Sequence, residues 1–241
     1  MTDFYRKSEI LFAVFWIVIY CSFIGTIRGI FGEESPLTLL SLTIIASVLL
    51  IFIRKNRLGS RYGLNRLPND CKRYLYFLPM LVLATGNLWG GIKPDHEGMA
   101  QINTVVSMAL VGLVEELIFR GFLFRGLLDE MGRRSAIIIA SVAFGIGHIV
   151  NLFSGQSFLE TAMQIPFAIA WGFMFTMTFS KSGSLLPAIA AHSMTDVFST
   201  CSNHNLTSDW IYTILTIIVS ILYCMYLKRL PQDPRPDTET L

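Results

Sequence analysis

Glu115 and Glu116 stand side by side in Val114-Glu115-Glu116-Leu117-Ile118-Phe119-Arg120, within a run of otherwise mostly apolar residues. Glu116 and Arg120 are four apart, in the order that favours an ion pair on one helical face. Glu115 lies about 100° round the same helix and has no equivalent local cation. One carboxylate is therefore held while its neighbour stays available, which suits general acid or base work. A second cluster is Phe144-Gly145-Ile146-Gly147-His148, with Asn151 one turn further; its glycines allow close backbone approach between helices. A third is His192-Ser193-Met194-Thr195-Asp196, whose i,i+4 spacing sets imidazole and carboxylate on one face. A carboxylate beside a histidine can fix its tautomer and raise its basicity.

Two kinds of chemistry fit Glu115, His148, His192 and Asp196 converging. In one, Glu115 activates a water while the histidines bind and polarise a carbonyl, which is peptide hydrolysis without metal. In the other, two histidines and a carboxylate hold a metal with its catalytic water. The H-E-x-x-H signature is absent and the histidine pairs are not i,i+4. Gly-x-Ser-x-Gly does not occur, and Ser193 lies on the wrong face of its helix for a dyad with His192. A structural ion pair in a transporter is the competing use of Glu116 and Arg120. His96 and His204 read as loop residues, and Glu160 and Gln164, on one helical face, as lining a cavity or as interfacial.

The elements that must position these residues follow from composition. Of 241 residues, 53% are apolar and only 15% charged, and the mean hydropathy is +0.55. Such a chain is neither disordered, collagenous nor coiled-coil, and its long apolar runs make it an all-α, polytopic membrane protein. The net charge of +2 does not suggest nucleic acid as a partner. Eight helices are expected, over 10–27, 37–53, 74–89, 102–128, 136–153, 158–179, 185–200 and 211–227, the seventh being short for a full crossing. The first reads as a retained helix rather than a cleaved signal, since no small-x-small site follows it before Arg28.

With a cytoplasmic N-terminus and eight crossings, sixteen of the nineteen basic residues fall on the cytoplasmic side and only Arg28 and Lys93 on the other. Both termini are therefore expected in the cytoplasm, with the protein in the cell membrane. Residues 1–230 read as a single membrane domain and 231–241 as a disordered polar tail. The basic 54–73 loop reads as a cytoplasmic anchor that contacts anionic lipid. Cys21, Cys71, Cys201 and Cys224 show no C-x-x-C spacing; Cys21 and Cys224 read as small lipid- or core-facing side chains.

Glu115-Glu116-x-x-x-Arg120, Phe144-x-x-x-His148 and His192-x-x-x-Asp196, in that order on successive segments, resemble the three motifs of the CAAX protease and bacteriocin-processing (CPBP) family, which includes the Rce1-type and bacterial Abi proteins. The resemblance spans residues 115–196. It implies an intramembrane glutamic endopeptidase, similar to CAAX prenyl protease 2, with eight helices and a cavity open toward the cytoplasm. It implies Glu115 as the base that activates water and His148 as its helper. Glu116 and Arg120 would support them, and His192 with Asp196 would stabilise the oxyanion or orient the carbonyl. Phe144 would be a wall of the site. The family's third motif commonly ends in Asn; an ionised Asp196 cannot donate to an oxyanion, so orienting His192 is its safer role. The implied substrate is a membrane-associated peptide or protein, prenylated or not, cut near its C-terminus. No cofactor or metal is called for. Bacteriocin self-immunity without catalysis and a metal-dependent protease remain open alternatives.

Overall fold

The computed structural model describes residues 1–65, 67–68, 77–203 and 205–230. Arg66, Cys71, Lys72, Arg73, His204 and the tail from 231 onward lie outside them, as does the expected start of the third segment at Tyr74. The described chain is helical: α1 (Thr2–Lys7), α2 (Glu9–Phe31), α3 (Pro36–Lys55), α4 (Leu78–Ala84) with a 3-10 turn at Gly86–Leu88, and α5 (Gly98–Glu116). A π-helical stretch (Leu117–Phe124) leads from α5 into α6 (Arg125–Met131). Then come α7 (Arg133–Gly147) with a 3-10 stretch (His148–Ser154), α8 (Phe158–Ser182), α9 (Leu186–Ser199) and α10 (Leu206–Arg229). Among the described residues, six stretches are long and apolar enough to cross a bilayer: Glu9–Phe31, Pro36–Lys55, Gly98–Met131, Arg133–Phe153, Phe158–Ser182 and Leu206–Arg229. The other two expected segments are helical but shorter, at Leu78–Leu88 and Leu186–Ser199. The protein is an all-α, multi-pass membrane protein.

Local chemistry sets the helix starts. Ser8, Ser35 and Asn205 cap α2, α3 and α10 with side-chain oxygens that accept from backbone N–H groups, and Pro36 opens α3. Ser157 and Glu160 form a reciprocal capping box on α8. Glu160 is thus occupied at a helix end, whereas Gln164, one turn on, does line a cavity. Outward-facing Leu11, Val18, Ile44, Ile51, Ile221 and Leu222 stay exposed on α2, α3 and α10, as lipid contact requires. One apolar cluster runs through the interior from Tyr5 to Leu227.

Small residues bring the inner helices together. A Cβ on Gly112 would come within 2.6 Å of the Ser193 backbone nitrogen, and Ser193 Oγ donates to the Ala109 carbonyl at 2.9 Å, so α5 and α9 are nearly in backbone contact. Gly145 and Gly172 do the same for α7 against α8. These contacts carry the three motifs to one place.

The bundle has two unlike ends. At one lie the start of α1, the end of α10, Gly132, Gly183 and residues 56–65; every described Lys and Arg except Arg28, Lys93 and the buried Arg120 belongs to this end. Here Leu58, Tyr62 and Gly63 pack inward while Arg57, Ser60 and Asn65 stay exposed: Tyr62 is fully buried and donates to Glu9 Oε1 at 2.6 Å, and Arg61 bridges Glu9 and Asp129. At the other end the 91–95 segment pairs with 200–203 through an antiparallel bridge, Ile92 to Ser202, flanked by Lys93 N–H to the Cys201 carbonyl at 2.9 Å.

Candidate active site

α5 ends at Glu116 and the π-helical stretch begins at Leu117, so the helix widens directly after the paired carboxylates. Wide turns of this kind are rare and are frequently found at functional sites. Glu116 and Arg120 are both fully buried; Arg120 Nη1 donates to Glu116 Oε1 at 2.7 Å. The guanidinium also lies 4.0 Å over the Phe144 ring and 5.2 Å from that of Phe175. The same Glu116 oxygen lies 2.8 Å from His192 Nδ1. Glu116 is therefore committed to two partners.

Glu115 is placed otherwise. Its Oε1 accepts from the Tyr20 hydroxyl at 2.9 Å, and its Oε2 lies 3.7 Å from His192 Nε2. Asp196 Oδ2 approaches the same Nε2 at 3.4 Å. His192 is clamped between Phe144, with ring centroids 5.5 Å apart, and Phe175, stacked at 5.4 Å. The sequence suggested Asp196 as the residue that orients this ring; the short bond to it comes from Glu116, at the opposite nitrogen. His148 Nδ1 is 3.0 Å from the Phe144 carbonyl, an oxygen that only accepts. Nδ1 is therefore the donor, and in the neutral ring Nε2 carries the lone pair. Phe144 packs edge-on against His148 at 5.1 Å, as a wall between the two histidines.

These groups line a cavity of about 490 Å³. Glu115, Phe119, Phe144, His148, His192 and Asp196 line it from the middle of the bundle, with the Glu115 and His192 side chains only 13% and 8% exposed; Arg28, Glu33, Gly155, Gln156 and Ser199 line it from one end, where the 46% exposure of Glu33 and the exposed Gly155 mark its mouth. Asn151 also lines it, and donates to Gln164 Oε1 at 2.8 Å; Gln156 donates to the same oxygen at 3.1 Å. Cys21 belongs to the wall, so it faces neither lipid nor a closed core. Tyr20 was not expected from sequence, because an aromatic residue in a membrane helix is ordinary. Arg28 was read there only as a topology marker. Among the described residues, no group of three or more His, Cys, Asp or Glu side chains is arranged to hold a metal ion.

The mouth-side residues come from the end of α2, the turn after it, the 3-10 stretch after α7 and the end of α9, all at the end of the bundle opposite the termini. A cytoplasmic mouth and cytoplasmic termini, both expected above, thus exclude each other. Glu115 is the eighteenth residue of the Gly98–Met131 stretch, close to its middle, and Val111 and Met108, nearer the start of that stretch, also line the cavity.

Fold and site together define a polytopic membrane protein with a buried acid–histidine constellation at the bottom of a polar cavity. Residues 99–198 match the Rce1-like family model, described as type II CAAX prenyl endopeptidase Rce1-like. That stretch contains all three motifs and supports a relationship to Rce1-like proteases at the level of the family. No curated protein and no solved structure matches the chain.

Proposed function

We propose that the chain is a member of the Rce1-like CPBP family and acts as an intramembrane glutamic endopeptidase. Glu115 takes a proton from a water, whose oxygen attacks the carbonyl carbon of the scissile bond. His148 Nε2 accepts from that water's second hydrogen and aligns it. His192, oriented by Glu116, faces the carbonyl oxygen on which negative charge develops. Glu115 then returns the proton to the leaving nitrogen, and two peptides with a new carboxylate and a new amine result. Arg120 neutralises Glu116, Asp196 borders His192 Nε2, and Phe144 separates the histidines. Asn151 holds Gln164 in the cavity wall. The observation that carries this reading is the division of labour between adjacent glutamates: Glu116 is consumed by Arg120 and His192, while Glu115 faces the cavity with Tyr20 as its hydrogen-bond donor.

On this reading residues 1–230 act as one membrane domain with eight crossings, two of them short, and the excess of basic residues at one end supports termini on the cytoplasmic side. The cavity then opens on the opposite face. The substrate is a membrane-associated peptide or protein, lipidated or not, whose cut segment reaches the site from that face. The test is cleavage of a library of short peptides, including lipidated C-terminal tails, by protein in nanodiscs, read by mass spectrometry. Wild type is expected to cut at a defined bond and Glu115→Gln to leave it intact; equal cleavage by both would overturn the assignment.

A further inference from the structure

Arg28 is the cation that the proposed mechanism does not use. It lines the cavity on α2, and among the described residues that line it no other carries a permanent positive charge. Its partner is Glu33, in the turn after α2, and the two side chains are 25% and 46% exposed. The contrast with Glu116 and Arg120, both fully buried on one continuous helix, is chemical as well as geometric. An ion pair open to water costs little to exchange, because the displaced carboxylate is resolvated. A buried pair cannot exchange without leaving a charge uncompensated.

Depth sets which end of a peptide could use Arg28. Tyr20, Ile24 and Arg28 recur every four residues along α2 and all line the cavity. Tyr20 touches Glu115 at the bottom; Arg28, eight residues on, lies about 12 Å further toward the mouth at 1.5 Å per residue. An extended peptide covers that distance in about three or four residues. Glu115 and Asp196 at the bottom repel a substrate carboxylate, and Arg28 at the mouth attracts one, so the charge gradient fixes the direction in which a peptide lies.

We propose that Arg28 is the specificity-determining residue that anchors a substrate carboxylate at the mouth by exchange for Glu33, setting the bond three or four residues away against Glu115. The carboxylate is the peptide's own C-terminus or an acidic side chain near it. This rests on the hydrolase reading for its consequence but not for its measurement.

Binding is read by fluorescence anisotropy with the full chain in nanodiscs. The probe is a fluorescein-labelled octapeptide of Ala and Leu, as the free acid, as the C-terminal amide, and as an amide with Glu at the penultimate position. Wild type is expected to bind the free acid at least about tenfold tighter than the plain amide, the scale of one charge-assisted contact. Arg28→Gln should erase that preference without changing affinity for the amide, Arg28→Lys should keep part of it, and Glu33→Gln should strengthen binding of the acid. A preference for the Glu-bearing amide that also depends on Arg28 upholds the anchor and assigns the carboxylate to a side chain. Equal affinity of wild type for all three forms, their common failure to bind, or a preference that survives in Arg28→Gln would each overturn it. Acid preference without any cleavage sinks the hydrolase reading and leaves the anchor; cleavage at equal KM for acid and amide does the reverse.

Discussion

Glu115 and Glu116 have the same side chain and are given different tasks by what touches them. Glu116 compensates a fully buried guanidinium, so Glu116→Gln leaves Arg120 charged in an apolar interior. A loss of about 3–5 kcal/mol is expected, read as a lowered Tm in detergent, because breaking a buried pair strands the remaining charge. Glu115→Gln should keep the wild-type Tm. Tyr20→Phe removes one hydrogen bond to Glu115 and nothing else of size. About a tenfold fall in kcat with KM unchanged is expected for a cleaved peptide, with stability altered by no more than about 1 kcal/mol. The carboxylates and Arg120 were legible in the sequence because a charged side chain costs roughly 2.5–3.5 kcal/mol, on insertion scales, to place at the centre of a membrane helix, and the histidines because ionisable residues are rare there. Tyr20 was not, since its role exists only once α2 packs against α5. The role of Glu160 was readable in Ser157-x-x-Glu160, a capping pattern just ahead of an apolar run.

Among the elements, the contact of α5 with α9 decides whether the motifs meet. Gly112→Val puts side-chain atoms where the Ser193 backbone already sits, so α9 must shift and carry His192 and Asp196 away from Glu115. Cleavage is expected to fall by about a hundredfold, on the scale of a 1 Å misplacement, with the helical circular dichroism of the bundle retained. At the terminal end, burial and the charge of Glu9 push the Tyr5 and Tyr62 phenols above their ordinary value. A phenol raised on folding contributes stability below about pH 10 and loses it as the pH climbs through the folded value. The Tm of wild type should therefore drop more steeply above about pH 10 than that of Tyr62→Phe, which lacks one of the two titrating groups. Among the described residues, the approximate position of every helix but the short polar α1 was legible in apolar run length, and the lengthening of α2 and α10 beyond those runs follows their caps. The π-helical stretch was not legible, because Leu117–Phe124 reads as an unbroken apolar run whatever its pitch.

For the whole molecule, the distribution of charge and the position of the mouth make one joint prediction. In a background without native cysteines, Gln156→Cys should react in intact cells with a membrane-impermeant maleimide, and Ser60→Cys should react only after permeabilisation. The opposite pattern would place the termini outside and the mouth in the cytoplasm. The separation itself, with termini at one end and mouth at the other, does not depend on that outcome. It follows that a copy inserted in a sealed vesicle shows the surrounding buffer either its terminal end or its mouth, never both. A preparation with mixed insertion would hold a latent fraction, silent toward added peptide until detergent opens the vesicle. Maleimide labelling at Ser60→Cys would mark the complementary fraction, so two independent assays on one sample must sum to the whole population.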